Sequence, residues 1–264
     1  MKKTIALLLT FVMLFALCAV PSFADKATVY AVEAGSAGEA VAQENGWEIN
    51  SVASQASALM EVAAGTSDAA IIDLLMAGAM IGEGTSYPNL THTDELTTEE
   101  YGIGCRKGSN LAAYINAQLF AAQEDGSLEE TAAVYGVQEA LVEIPEVTEE
   151  EVEAILADAD GDVAYIVDKG TLIVGITDFE PMDYKDENNE WIGFDADMAK
   201  AVAEALGVEI EFVEIDWDNK ILELNSKSID VVWNGMTLTD EVTNAMECTV
   251  AYCNNAQVVV VPAE

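Results

Sequence analysis

The sequence predicts an α/β protein built from two units. Short apolar strands alternate with helical segments along most of the chain, and glycines stand where those helices should stop. Hydrophobic residues make up 51%, enough for a sizeable core. The length of 264 residues suits one large domain or two lobes of ordinary size.

The N-terminus reads as a targeting segment. Lys2 and Lys3 precede an apolar run from Ile5 to Val20, and Ser22-Phe23-Ala24 supplies a small-x-small cleavage signal. Residues 1–24 are therefore expected to be a signal peptide cleaved after Ala24, with lipid anchoring at Cys18 as the alternative. No later stretch approaches the ~20 apolar residues of a membrane span. From there "ATVYAVEAG" (27–35) is a strand running into a Gly turn, and Ser36 with Glu39 forms a capping box for a helix ended by Gly46. "ASALMEVAAG" (56–65) is a second helix, followed by the apolar strand "DAAIID" (68–73). "GIGCRKG" is a strand. Two helices follow it, the first with Leu111, Ile115, Leu119 and Phe120 on one face, the second opened by the pair Ser127/Glu130 and closed at Gly136.

Residues 143–166 form an acidic connector with a helix capped by Thr148 and Glu151. Its "DADGD" (158–162) lacks the glycine and final glutamate of a calcium loop and reads as a solvated turn. "GTLIVGI" (170–176) is a strand, and 184–194 a hairpin around a polar turn. Asp195 begins a helix that buries Met198, Ala201, Val202, Ala205 and Leu206 and stops at Gly207. Strands at 208–215, 229–234 and 257–261 are expected to complete the second unit.

Composition narrows the chemistry. The formal charge is −38, and loss of Lys2 and Lys3 with the signal would take it to −40, which excludes nucleic acid as a partner. Cys105, Cys248 and Cys253 show no CxxC spacing, so neither a disulfide framework nor a zinc site is expected, although a Cys248–Cys253 bridge stays open. His92, the sole histidine, sits in a polar stretch, so no Ser/His/Asp set is available. No cofactor, metal or catalytic residue is expected.

Several segments together resemble a known family. "GTLIVGITDFEPMDYKDENNEWIGFDADMAKAVAEALG", "EIDWDNKILEL", "SIDVVWNGMTLT" and "NNAQVVVV" are similar to the first lobe of extracellular solute-binding proteins of ABC transporters for polar amino acids. "VEAGSAGEAVAQENG", "ALMEVAAGTSDAAIID" and "LTTEEYGIG" resemble the second lobe, and residues 102–136 its closing helices. The order is permuted: lobe two (26–101) comes first. Lobe one with the closing helices (109–136) and connector (143–166) occupies 102–264. A circular permutant or a fragment of a tandem gene would produce this order. The permutation leaves one expected crossing between lobes and puts the mature termini near the hinge.

The resemblance implies a two-lobed, periplasmic-binding-protein-like (type II) fold whose cleft closes on a small polar ligand, an amino acid, in a monomer that serves a membrane permease. It assigns ligand contacts to the aromatics Phe179 and Trp217, to the loop Asn234, Gly235, Met236 and Thr237, and to the loop Ser36, Ala37 and Gly38. Asp73 is placed as partner of the ligand ammonium. The family's carboxylate-clamping arginine is replaced by Val242, and the one arginine, Arg106, belongs to a strand outside the cleft. The helix start at Ser36 and the lysine Lys220 are the candidate replacements. Two other functions stay open: a carboxylate-based enzyme on the same fold, dehydratase-like or peptidoglycan-cleaving, with Glu180 as its acid, and a ligand-silent surface protein.

Overall fold

A computed structural model describes residues 27–263. The expected signal peptide, with Cys18, lies outside the described residues. The described residues form two large sheets, each the centre of an α/β lobe, and a small two-stranded one. The first lobe is laid down as β1 (Val29–Glu33), α1 (Ala37–Glu44), β2 (Glu48–Val52), α2 (Gln55–Ala64), β3 (Ala69–Asp73), α3 (Leu74–Met80) and β4 (Leu90–Glu95). β1 runs parallel to β2 and β3, as short strands joined through helices must. α2 shows how local sequence sets its ends. The Ser54 hydroxyl accepts the Ser57 N–H, and Gly65 closes the helix at φ +72°, a conformation that favours glycine.

The chain then enters the second sheet. Its elements are β5 (Glu99–Cys105), α4 (Leu111–Asp125), α5 (Ser127–Tyr135), α6 (Glu149–Ala157), α7 (Asp162–Lys169), β6 (Thr171–Ile176), β7 (Tyr184–Lys185), β8 (Trp191–Ile192), α8 (Phe194–Leu206), β9 (Glu209–Glu214), α9 (Lys220–Ser226), β10 (Val231–Thr237), α10 (Asp240–Ala245), β11 (Glu247–Cys248) and β12 (Cys253–Asn255). The strand order is β11-β5-β10-β6-β9, with β12 also on β5. Helices α4 and α5 lie on this lobe, α4 against β5 and α7, α5 against α8.

The last strand, β13 (Gln257–Pro262), corrects the sequence reading. Expected in the second unit, it inserts antiparallel between β3 and β4 of the first sheet. "QVVVV" is apolar enough for the interior of either sheet, so composition did not choose between them. The chain therefore crosses between lobes twice, through residues 96–98 and at Ala256, instead of once. The described ends are not at the hinge either. Tyr30 pairs with Ala69 and Val260 with Ala70, so β1 starts and β13 ends at the same outer edge of the first lobe.

Two smaller expectations are also corrected. All of β5, including residues 99–101, belongs to the second sheet. Ser127 does not cap α5; Gly126 does, and the Ser127 N–H bonds the Asp125 carboxylate at 2.9 Å. The end of the connector enters α7, which buries Val163 and Ile166. Thr148 and Glu151 do form a reciprocal capping box. The cysteines Cys105, Cys248 and Cys253 are all free thiols, so the Cys248–Cys253 bridge is not made.

Arg106 sits away from the cleft, buried at the base of the second lobe. Its guanidinium donates to Asp162 at 3.1 Å, to the Ile229 carbonyl at 3.0 Å and to Asp230 at 3.4 Å; Lys169 also pairs with Asp230. The group joins α7 to the turn before β10. Arg106→Ala should cost about 1.5–3 kcal/mol of unfolding free energy, because Asp162 and the Ile229 carbonyl lose a charged donor while Lys169 still pairs with Asp230. Urea denaturation would read the loss; a change under about 1 kcal/mol would mean that the network carries no net stability.

Candidate functional site

The two lobes enclose a cavity of about 350 Å³, within the size range of small-ligand sites. From the first lobe it is lined by Glu33, Gly35, Ser36, Ala37, Gln55 and Asp73. The second lobe contributes Phe179, Trp217, Lys220, the run Asn234–Thr237 and the start of α10 through Val242. These residues come from strand ends and the turns that follow them, where ligands of open α/β sheets are held.

Ten of the eleven ligand contacts expected from sequence line this cavity, and Gly38 does not. Gly38 is instead a packing position. A Cβ there would lie 2.9 Å from the Gln257 side-chain oxygen and 3.1 Å from the Ile71 carbonyl, so α1 can approach β3 only with glycine. The Ser36 hydroxyl accepts the Glu39 N–H at 3.1 Å, but the Glu39 carboxylate returns to the Gly35 N–H at 2.8 Å. The expected capping box is thus shifted by one residue and tightens the β1–α1 turn.

The loop 234–237 is less free than the sequence implied. Asn234 is consumed by Thr177, accepting its N–H at 2.9 Å and donating to its hydroxyl at 2.8 Å. The Gly235 N–H donates to Asp195 at 2.6 Å, and the Thr237 hydroxyl to Glu99 at 3.1 Å. Gly235 has φ +54°, and a Cβ there would come within 2.5 Å of the Phe179 ring. The glycine is required by both conformation and contact. Phe179 meets Tyr101 edge-on at 6.3 Å between ring centres. Trp217 packs with Leu224, Met236 and Val242 while its ring lines the cavity, so it serves core and cleft together.

Lys220 has two of its three N–H donors engaged. Its Nζ donates to the Gly35 carbonyl at 2.9 Å and the Trp217 carbonyl at 3.2 Å, and lies 4.9 Å over the Trp217 ring. Gly35 and Trp217 belong to different lobes, so this lysine links them. Burial lowers its pKa, opposed by Glu241, Glu33 and other nearby acids.

Asp73 ends β3 in a cradle of amides. Gln55 and Asn255 donate to its two oxygens, and Gln257 adds a third bond at 2.9 Å. Burial, with Glu99 nearby, still raises its pKa to about 7. Glu33 was missed by the sequence reading. It is 3% exposed, lines the cavity, and its Oε1 has no hydrogen-bond partner. Burial first, then the charge of Asp73, raises its pKa to about 8. The strand pattern "VYAVE" gave it no distinction from a solvent-facing acid; its place at a strand end before the Gly turn was the available signal. Glu180, the acid considered for an enzyme, does not line this cavity. Among the described residues no group of three or more His, Cys, Asp or Glu side chains is placed to hold a metal.

Residues 172–264 match the family model of bacterial extracellular solute-binding proteins, family 3. This stretch is homologous to that family. The arginine-binding extracellular protein ArtP of Bacillus subtilis is 43% identical over 74 residues, 28% of this chain and 29% of its own length. The L-cystine-binding protein TcyA of Bacillus subtilis is 40% identical over 84 residues, 31% of each chain. A solved ancestral cationic amino acid solute binding protein is 42% identical, covering 32% of this chain and 37% of its own, with a TM-score of 0.31. The chain thus spans about a third of the length of the curated relatives it matches. Most of these homologues are solute-binding proteins and not enzymes.

The buried carboxyl of Glu33 sets a pH dependence of stability. It holds its proton up to about pH 8 in the folded chain, against an ordinary value of 4.5. The folded state binds more protons across that window, so this contribution to stability is lost as pH rises through it. Glu33→Gln, neutral and nearly isosteric, should leave stability unchanged near about pH 5 and raise it by roughly 2–4 kcal/mol near about pH 8.5. Denaturation at both pH values checks this; an equal effect at each would contradict the raised pKa.

Proposed function

We propose that the protein is an extracytoplasmic solute-binding protein. It captures a small, positively charged polar solute of amino-acid size between its lobes and presents it to the permease of an ABC transporter. The observation that carries this reading is the composition of the cavity wall. Both lobes contribute, and five acids (Glu33, Glu44, Asp73, Asp240, Glu241) face one lysine whose ammonium is already engaged. Such a wall favours cations, and a net charge of −38 steers them toward it. The homology of 172–264 to amino-acid-binding proteins supports the same reading. Asp73, Phe179, Trp217 and the turns at 35–37 and 234–237 are the proposed contacts. An exported monomer is the proposed form.

The lobe order is proposed to be a circular permutation. β1 and β13 flank β3, so their outer ends lie about 10 Å apart, two strand spacings. A short loop from 262 to 27 would restore the order that the family resemblance implies, and the connector 143–166 would become the cut. A chain rearranged in this way should fold to the same two lobes, with circular dichroism and Tm close to those of the present order. An unfolded product would argue against it.

Binding is tested with refolded, ligand-free protein and a thermal-shift panel of basic, neutral and acidic amino acids and amines. A true ligand at a hundred times Kd should stabilise by about 2.7 kcal/mol. Trp217→Ala should weaken binding by about 1–3 kcal/mol. Unchanged affinity with lowered stability would assign Trp217 to the core alone, and a panel without any shift would refute the function.

A further inference from the structure

Building on the solute-binding reading, we propose that Glu33 is the seat of the ligand's cation and that the site selects amines over the corresponding amino acids. Three facts converge. Glu33 is 3% exposed, lines the cavity, and leaves Oε1 without a partner. A buried carboxyl oxygen without a partner is costly, and a cationic ligand N–H is the group that would pair with it as the carboxyl gives up its proton. Asp73, the acid expected from sequence to hold an ammonium, already takes amide donors on both oxygens. Glu33 is therefore the open acceptor of the two.

A ligand carboxylate needs a donor set, and the cation on the wall, Lys220, is bonded to the carbonyls of Gly35 and Trp217. At the start of α10 the side chains of Asp240 and Glu241 precede an apolar Val242, so that helix end carries negative charge where an anion would otherwise sit. Bringing a carboxylate into this wall sets it against five acids and a single lysine, two of whose three N–H donors are taken. An amine or guanidine that differs only by lacking the carboxylate avoids it.

The test is calorimetric titration of the refolded full chain at about pH 8 with three probes, L-arginine, agmatine (its decarboxylated amine) and L-citrulline (its zwitterionic analogue with an uncharged side chain). Agmatine should bind about ten-fold or more tighter than arginine, and citrulline should bind weakest. Glu33→Gln should weaken agmatine by about 10–100-fold, the loss of a hydrogen bond to a charged group. The ranking of the three probes on the unmodified protein needs no variant, so it stands whatever Glu33→Gln does to folding. Arginine binding tighter than agmatine, or agmatine affinity within about twofold in a folded Glu33→Gln protein, would overturn the proposal while leaving solute binding intact. Absence of binding by all three would remove the cationic-ligand reading with it.

Discussion

The structure depends on a knot of carboxylates and amides where the two lobes meet. Asp73 ends a strand of the first sheet and Glu99 begins one of the second. Asn255 and Gln257 each donate to both, at 3.2 and 3.0 Å to Glu99. Gln55 adds a donor from α2, and Thr237 adds one from the rim of the cleft. Asn255 and Gln257 flank Ala256, where the chain passes from one lobe to the other. A buried acid and a half-buried one can be tolerated side by side because neutral amides fill their lone pairs. That requirement fixes how β3, β5, β12 and β13 come together, and so places the cleft.

From this junction the rest of the site follows. Holding Asp73 at the end of β3 puts the neighbouring end of β1, with Glu33, on the same wall. The Lys220 ammonium then reaches across to the Gly35 carbonyl and draws the lobes together. Gly35 tolerates no Cβ there, since one would stand 2.7 Å from the Asp218 backbone. The closure is therefore made by backbone and one lysine, while the cavity keeps its negative lining. The stability that Glu33 forgoes by keeping Oε1 buried and unpaired is of the kind that functional sites retain.

Much of this was legible in the sequence. The Gly-terminated helices, the strands at β1, β3, β6 and β10, and the residues Ser36, Asp73, Phe179, Trp217 and 234–237 were placed by local pattern and family resemblance. The lobe of β13 was not legible, because a run of valines satisfies either sheet and only the amides of Asn255 and Gln257 decide between them. Glu33 was hidden by alternation: in a strand, an acid beside apolar residues reads as solvated, and its burial is a tertiary fact. The engagement of Lys220 was hidden for a similar reason, since its carbonyl partner Gly35 lies 185 residues away.

The central claim is that a buried carboxyl at the end of β1 receives a cation. Its most direct measurement is the carboxyl carbon NMR shift of Glu33, titrated with pH in the absence and presence of agmatine. The account predicts a midpoint near 8 without ligand, falling below about 5 when the cation docks, because an opposite charge within hydrogen-bond distance favours the ionised form. A midpoint that stays near its ligand-free value while agmatine binds elsewhere on the chain would contradict it.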